Sequence, residues 1–120
     1  MKTVIIGATP NPSRYAYLAA ERLENKGHEI VPVGNKPGEV FGHKILNIKD
    51  KPELADIHTV TMYVGADHFK GYEDYVLDLK PKRIIFNPGA ENDLLELMAQ
   101  KQGIETVHGC TLVMLGSGQY

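Results

Sequence analysis

A chain of 120 residues, 42% of them hydrophobic, can fill one hydrophobic core and is too short for a second. Its 13 basic and 15 acidic residues leave a net charge of −2, which excludes the broad positive surface of a typical nucleic-acid-binding protein. The first apolar run stops at Gly7, too early for a signal sequence or a membrane span, and a single cysteine excludes an internal disulfide. We therefore expect one cytoplasmic domain over residues 1–120 that contacts neither nucleic acid nor membrane.

The order of apolar runs predicts five strands, at residues 3–8, 29–33, 58–64, 83–86 and 104–107. After the first strand, Asn11 is expected to cap a helix that has Pro12 in its first turn and ends at Gly27. Residues 39–58 read as a crossover, with a short extended piece at residues 44–48 and one helical turn at residues 52–55.

Helices are also predicted after the third and fourth strands. The first of these ends at Lys80-Pro81 and the second at Gly103, and the tail at residues 110–115 is expected to add one helical turn. Short apolar strands that alternate with helices indicate a parallel sheet with right-handed crossovers and helices on both faces. The expected fold class is α/β, a doubly wound, Rossmann-like, mainly parallel sheet of five strands.

In such a sheet the ligand lies outside the carboxyl ends of the strands. The candidate loops are therefore residues 8–14, 34–38, 64–67 and 87–92. The first loop leads into a helix N-terminus, where free backbone N–H groups and the helix dipole favour an anion. The N–H groups expected to be available are those of Ala8, Thr9, Asn11, Ser13 and Arg14. Phosphate is the anion that we expect there.

Two departures from an NAD site narrow the nature of the ligand. The first loop has only Gly7 where the dinucleotide fingerprint has three glycines. The Arg14 guanidinium can partly replace the lost backbone contacts by binding a phosphate with two hydrogen bonds. After the second strand, where an NAD site would have Asp or Glu, the sequence has Gly34-Asn35-Lys36. A lysine there suits a phosphorylated ribose, and both NADP and coenzyme A carry one.

Four segments together resemble the family of small stand-alone coenzyme A-binding proteins, which are similar to the coenzyme A-binding half of succinyl-CoA synthetase alpha subunits. The segments are Gly7-Ala8-Thr9 with Arg14-Tyr15, Val31-Pro32-Val33 with Asn35, Glu39 and Gly42, the run from Asn87 to Asn92, and Cys110-Thr111-Leu112. The resemblance favours coenzyme A over NADP, which stays the runner-up. It also implies a Rossmann-type fold over nearly the whole chain.

The resemblance assigns a part of the ligand to each loop. It implies that Ala8, Thr9 and Arg14 take the pyrophosphate and that Asn35 and Lys36 lie near the ribose phosphate. It further implies that Val64-Gly65-Ala66 flank the adenine and that Pro88-Gly89-Ala90 line the channel of the pantetheine arm. With Gly7 and Gly34 as backbone positions, these are the expected cofactor-binding residues.

Three functions remain open from the sequence. The first is a non-catalytic coenzyme A carrier, sensor or regulatory subunit. The second is an enzyme, either an NADP-dependent reductase or an acyl-CoA synthetase subunit completed by a catalytic partner chain. The third is a protein-interaction domain with a vestigial nucleotide cleft. No spacing indicates a nucleophile–base pair or a metal site, so we expect no catalytic residue and no metal. Cys110 is either an inert core residue or a partner for the coenzyme thiol. A homodimer through the fifth strand and the tail is a further possibility.

Overall fold

The computed structural model describes residues Met1–Tyr120 as eight strands and four helices. The strands are β1 (Thr3–Ile6), β2 (Ile30–Gly34), β3 (Glu39–Val40), β4 (His43–Lys44), β5 (Leu46–Asn47), β6 (Thr59–Met62), β7 (Arg83–Phe86) and β8 (Glu105–His108). The helices are α1 (Tyr15–Asn25), α2 (Glu73–Asp78), α3 (Asp93–Lys101) and α4 (Thr111–Gly116), with 3-10 turns at Ile48–Asp50 and Ala66–His68. None of these helices is long and apolar enough to cross a membrane.

Six of the strands form one parallel sheet in the order β5-β2-β1-β6-β7-β8. The chain builds outward from β1 to β2 and β5, then returns to β6 and builds the other way, so strand order reverses between β1 and β6. Residues at the carboxyl ends of these strands are in register, with Ile6 paired to Val33 on one side and to Met62 on the other. The predicted doubly wound α/β class is confirmed, and a ligand crevice is expected at the β1–β6 reversal.

The sheet has six strands and not the five predicted, because β5 has only two residues and gives no apolar run to recognise. It lies inside the extended piece expected at residues 44–48. The helical turn expected at residues 52–55 is wrong. The turn lies at Ile48–Asp50, where the Asn47 side chain accepts a hydrogen bond from the Lys49 N–H at 2.9 Å and so starts the turn earlier.

Helices cover both faces of the sheet, as the apolar strands require. Val4 and Ile6 of β1 face the larger core, in which α2 and α3 pack, whereas Ile5 faces the smaller core beneath α1 and α4. This alternation follows from the two-residue repeat of a strand. All four residues of β1, β6 and β7 are buried, so the centre of the sheet is a rigid platform for the loops at its carboxyl edge.

An antiparallel hairpin, β3–β4, lies on the α1 side of the sheet. Its Val40 is buried in the smaller core, and the Phe41 ring packs against Tyr17 of α1 with ring centroids 4.9 Å apart. The His43 Nε2 atom lies 3.2 Å from a carboxylate oxygen of Glu24, also on α1. The hairpin is thus fastened to α1 by an aromatic pair and a polar pair.

Helix α1 begins later than the sequence predicts. The Asn11 side chain accepts a hydrogen bond from the Ser13 N–H at 3.0 Å, so it closes a turn of its own instead of capping the helix. Arg14 is the N-cap residue, with extended backbone and no side-chain capping bond, and no acidic residue occupies the first turn. The N-terminus of α1 therefore lacks a capping side chain and lies next to Arg14.

Candidate functional site

Three adjoining cavities form one cleft at the carboxyl edge of the sheet, and Asn35 lines all three. The first-loop cavity, of about 410 Å³, is lined by Gly7–Thr9, Ser13–Ala16, Asn35, Lys36, Tyr63 and Pro88–Ala90. The hairpin cavity, of about 420 Å³, is lined by Gly34–Gly38, Lys44–Asn47, Asp50 and Pro52. The aromatic cavity, of about 260 Å³, is lined by Ile6, Gly7, Gly34, Asn35, Ile48, Lys49, Val64, His68, Phe69 and Tyr72.

Two glycines let the loops of this cleft approach one another. Gly7 has a φ of +95°, and a Cβ atom there would lie 2.8 Å from a methyl carbon of Val64, across the β1–β6 reversal. A Cβ atom on Gly34 would lie 2.7 Å from the Ala8 carbonyl oxygen. Real Cβ atoms do not come so close to other heavy atoms, so both positions require the absence of a side chain.

Backbone donors face the first-loop cavity, although they are not the set expected from the sequence. The N–H groups of Ala8, Asn11, Ser13 and Arg14 all donate within the protein, at distances of 3.0 to 3.2 Å. The N–H groups of Thr9, Tyr15 and Ala16 have no partner in the protein, and all three residues line the cavity. Because α1 begins at Tyr15, two of these donors belong to the first turn of an 11-residue helix, where the helix dipole also favours an anion.

Four cationic side chains line the cleft without a carboxylate partner. Arg14 lines the first-loop cavity, Lys44 the hairpin cavity and Lys49 the aromatic cavity, while Lys36 lines both the first-loop and hairpin cavities. None of the four lies within 4.0 Å of a carboxylate oxygen. Asp50 is the only acidic residue in the lining. On a chain whose net charge is −2, this local excess of positive charge suits a ligand that carries several negative charges.

The aromatic cavity offers a different chemistry. Phe69 is almost fully buried, and its ring centroid lies 5.8 Å from that of Tyr72. Val64 and Ile48 complete an apolar lining, with Lys49 and His68 as its polar members. Such a slot suits a flat heterocycle, which can bury its faces against apolar groups while its edges reach polar ones.

The loop after β7 is held by a buried asparagine. The Asn87 side-chain amide donates to the Thr61 hydroxyl at 2.7 Å and to the Met62 carbonyl at 2.8 Å, and its oxygen accepts from the Thr111 N–H at 2.8 Å. These three bonds join the carboxyl ends of β6 and β7 to the start of α4. Pro88-Gly89-Ala90 follow directly and line the cleft, so Asn87 positions the loop without touching the cavity.

Tyr63 is one of the polar residues that line the first-loop cavity. Its hydroxyl is buried and makes no hydrogen bond of normal geometry, although the Thr111 and Thr61 hydroxyls lie close by. Burial raises the pKa of Tyr63 to about 12 and outweighs the lowering effect of these two hydroxyls. The phenol therefore stays protonated at neutral pH.

Most of the residues predicted from the sequence meet in this cleft. Those that line it are Gly7, Ala8, Thr9, Arg14, Gly34, Asn35, Lys36, Val64, Pro88, Gly89 and Ala90. Gly65 and Ala66 line none of the three cavities. Gly65 packs near the Gly89 carbonyl, and a 3-10 turn begins at Ala66. Cys110 is half-buried at the start of α4 and does not line the cleft either.

The sequence prediction missed several lining residues, above all Lys44, Lys49, Phe69 and Tyr72. These come from residues 39–50, whose three strands have only two residues each, and from the turn before α2, so no long apolar run marks their position at the sheet edge. Their signal in the sequence was limited to residue type, a lysine or an aromatic in a polar segment. No group of three or more His, Cys, Asp or Glu side chains is arranged to hold a metal ion.

A family model described as "CoA binding domain" matches residues 1–116. Among solved structures, the chain is 53% identical to an uncharacterized protein, with a TM-score of 0.95 and coverage of 99% of this chain and 97% of that one. A protein from Thermus thermophilus, cell-free ID.343, is 21% identical over 99% of this chain and 90% of its own, with a TM-score of 0.81. The comparison with curated proteins found no match.

A larger protein contains the same fold. The dinucleotide-forming acetyl-coenzyme A synthetase 1 of Ca. Korarchaeum cryptofilum is 19% identical, with a TM-score of 0.66 over 90% of this chain and 25% of that chain. At such identities the Thermus and Korarchaeum proteins are evidence of the fold alone. The family match is evidence of more, since it runs from β1 to the end of α4 and includes every loop of the cleft. The protein belongs to the CoA binding domain family.

Proposed function

We propose that the protein binds coenzyme A, free or acylated, in the cleft at the carboxyl edge of its sheet. The observation that carries this proposal is the combination of four unpaired cations with three unpaired backbone donors around one cleft. Coenzyme A has a pyrophosphate and a separate ribose 3′-phosphate, so its negative charge is divided between two groups, as the cations are divided between adjoining cavities. Membership of the CoA binding domain family supports the same ligand.

Each part of the coenzyme has a chemically suitable place in the cleft. The pyrophosphate is proposed to accept from the Thr9, Tyr15 and Ala16 N–H groups, with the Arg14 guanidinium as a further donor. The ribose phosphate lies near Lys36, and the adenine enters the aromatic cavity beside Phe69 and Tyr72. The pantetheine arm follows Pro88-Gly89-Ala90 toward Tyr63.

We further propose that the chain is a carrier, sensor or regulatory subunit without chemistry of its own. No His, Cys, Asp or Glu side chain lines the first-loop cavity, and the Tyr63 hydroxyl is buried beside the Thr61 and Thr111 hydroxyls. Because the pKa of Tyr63 is about 12, its hydroxyl is a poor general base near neutral pH. An acyl transfer at the thiol would therefore draw its acid, base or nucleophile from a partner chain, as in a synthetase assembled from separate subunits.

The experiment that tests the ligand is native mass spectrometry of the purified protein, followed by release and identification of any bound small molecule. The proposal predicts a mass increment equal to that of coenzyme A or an acyl derivative. A nicotinamide dinucleotide in its place would contradict the proposal and favour an NADP-dependent reductase.

The non-catalytic role has its own test. Acetyl-CoA incubated with the protein and then released by denaturation is expected to return unchanged, in the amount recovered from a protein-free control. Loss of the acetyl group in proportion to the protein concentration would contradict a purely binding role, whether or not coenzyme A is the ligand.

A further inference from the structure

The hairpin β3–β4 brings a second lysine to the cavity that Lys36 also lines. Lys36 belongs to the loop after β2, whereas Lys44 is the last residue of β4, eight residues later in the chain. Both line the hairpin cavity, which adjoins the first-loop cavity through Asn35 and Lys36. The two lysines thus line one cavity from separate segments of backbone.

Lys44 lacks the partner that its place in the hairpin would normally supply. It stands directly opposite Glu39 in the antiparallel register, the arrangement in which opposite charges usually pair across strands. No carboxylate oxygen lies within 4.0 Å of its ammonium group. Asp50 lines the same cavity but does not neutralise either lysine. The cavity therefore has two lysines without an ion-pair partner and one carboxylate, an excess of one positive charge.

The hairpin that carries Lys44 is held in place by contacts with α1 and by a hydrogen bond across its own base. Phe41 packs on Tyr17, His43 lies 3.2 Å from Glu24, and the Ile45 N–H donates to the Gly38 carbonyl at 2.9 Å. The Gly38 end of the hairpin also approaches Pro10 of the first loop, since a Cβ atom there would lie 3.1 Å from the proline ring. The backbone at Lys44 is thus held in position without a ligand, so only the exposed Lys44 side chain has to be ordered when it contacts one.

We propose that Lys44 determines ligand specificity by binding, together with Lys36, the phosphate on the ribose of the coenzyme. The hairpin then serves as the element that distinguishes a phosphorylated ribose from an unphosphorylated one. A dianionic phosphate between two lysines gains from both, whereas a plain ribose hydroxyl gains from neither. This inference rests on the proposed function, because it concerns how the same cleft selects its ligand.

The test combines one variant with one change in the ligand. Calorimetric titrations with coenzyme A and with dephospho-coenzyme A, which lacks only the ribose phosphate, are made on the wild-type chain and on Lys44→Met. The variant keeps the length of the side chain and is expected to weaken coenzyme A binding about fivefold to tenfold, while dephospho-coenzyme A binding changes by less than about twofold. Lys101→Met, at the exposed end of α3, is the matched control and is expected to change neither affinity.

A second variant should act in the opposite direction. Asp50→Asn removes the one negative charge from the cavity and is expected to tighten coenzyme A binding about twofold to fivefold, with a smaller effect on dephospho-coenzyme A. Equal binding of the two ligands by the wild-type chain, equal weakening of both by Lys44→Met, or a weaker coenzyme A complex with Asp50→Asn would each overturn the role of Lys44. Each of these results still leaves coenzyme A as the ligand. A wild-type chain that binds neither ligand would instead overturn the proposed function.

Discussion

Gly34 and Ala8 meet backbone to backbone where β2 and β1 end: a Cβ atom on Gly34 would lie 2.7 Å from the Ala8 carbonyl oxygen and 3.4 Å from the Ala8 nitrogen. That nitrogen donates to the Val33 carbonyl at 3.1 Å, so the two chain segments are also joined by a hydrogen bond. The first and second loops of the cleft are therefore one packed unit. A substitution at either residue should therefore disturb the backbone of both loops.

Gly34→Ala is expected to push the Ala8 backbone outward, because the new methyl group meets a carbonyl and not a flexible side chain. We expect a loss of about 1–3 kcal/mol in the free energy of unfolding and weaker coenzyme A binding, measured by urea denaturation and calorimetry. Gly116→Ala is the control, since a Cβ atom there meets nothing within 4 Å and the backbone has no positive φ. Equal stability of Gly34→Ala and Gly116→Ala would refute the packed unit.

Asn87 is expected to be one of the most sensitive polar residues in the protein. Its replacement by Ala removes three hydrogen bonds and takes this partner from the buried Met62 carbonyl and Thr111 N–H, while the Thr61 hydroxyl keeps its bond to the Thr111 hydroxyl. The predicted cost is about 2–4 kcal/mol in the free energy of unfolding, measured by chemical denaturation. Asn25→Ala, at the exposed end of α1, should change it by less than about 0.5 kcal/mol. A similarly small effect at Asn87 would show that the buried network does not hold the loop.

Tyr63 should make stability depend on pH in the alkaline range. Its pKa is about 12 in the folded protein, against about 10 in an unfolded chain, so the neutral form favours folding. This contribution is complete below pH 10 and is lost as the pH rises from about 10 to about 12. Tyr75, whose pKa burial also raises to about 12, acts in the same range.

Tyr63→Phe should therefore reduce the fall in stability between about pH 10 and pH 12, measured as the free energy of unfolding at each pH. At pH 7 the same variant is expected to cost less than about 0.5 kcal/mol, because the hydroxyl that it removes has no hydrogen-bond partner. An alkaline profile identical to that of the wild-type chain would show that Tyr63 titrates normally.

The sheet could be predicted from sequence because its central strands are buried on both faces. β1, β6 and β7 are runs of apolar and β-branched residues, and such runs have few alternatives to a parallel strand. β3, β4 and β5 have two residues each, which is too short for a sequence pattern, and their positions depend on contacts with α1 and β2. The start of α1 was missed for a related reason, since Asn11 fits a helix cap and a tight turn equally well.

The candidate site was also predictable only in part. The loops that follow β1, β2, β6 and β7 could be predicted as parts of the site, because parallel strands bring their carboxyl ends to one edge of the sheet. Lys44 and Tyr72 reach the cleft from a hairpin and from a turn, whose positions depend on long-range packing. The unpaired N–H groups of Tyr15 and Ala16 could not be predicted, because they depend on where α1 begins, and the sequence prediction placed that start too early.

Arg14 should contribute to ligand binding and little to folding, because its side chain is exposed and makes no ion pair. Arg14→Ala is expected to cost about 1.5–3 kcal/mol of coenzyme A binding, the range for a hydrogen bond between charged groups. Arg22→Ala, on the exposed side of the same helix, is the control for a general loss of positive charge. Unchanged affinity in Arg14→Ala, or an equal loss in both variants, would remove Arg14 from the phosphate site.

Selective binding of coenzyme A in the cleft is tested by a calorimetric competition between coenzyme A and NADPH on the wild-type chain freed of copurifying ligand. Both ligands carry a pyrophosphate and a ribose phosphate, so charge alone does not separate them. We expect saturable coenzyme A binding with a stoichiometry of about one per chain, and NADPH binding weaker by at least about tenfold, a difference of about 1.4 kcal/mol. Tighter binding of NADPH, or no heat of binding with coenzyme A, would show that the cleft is not a coenzyme A site.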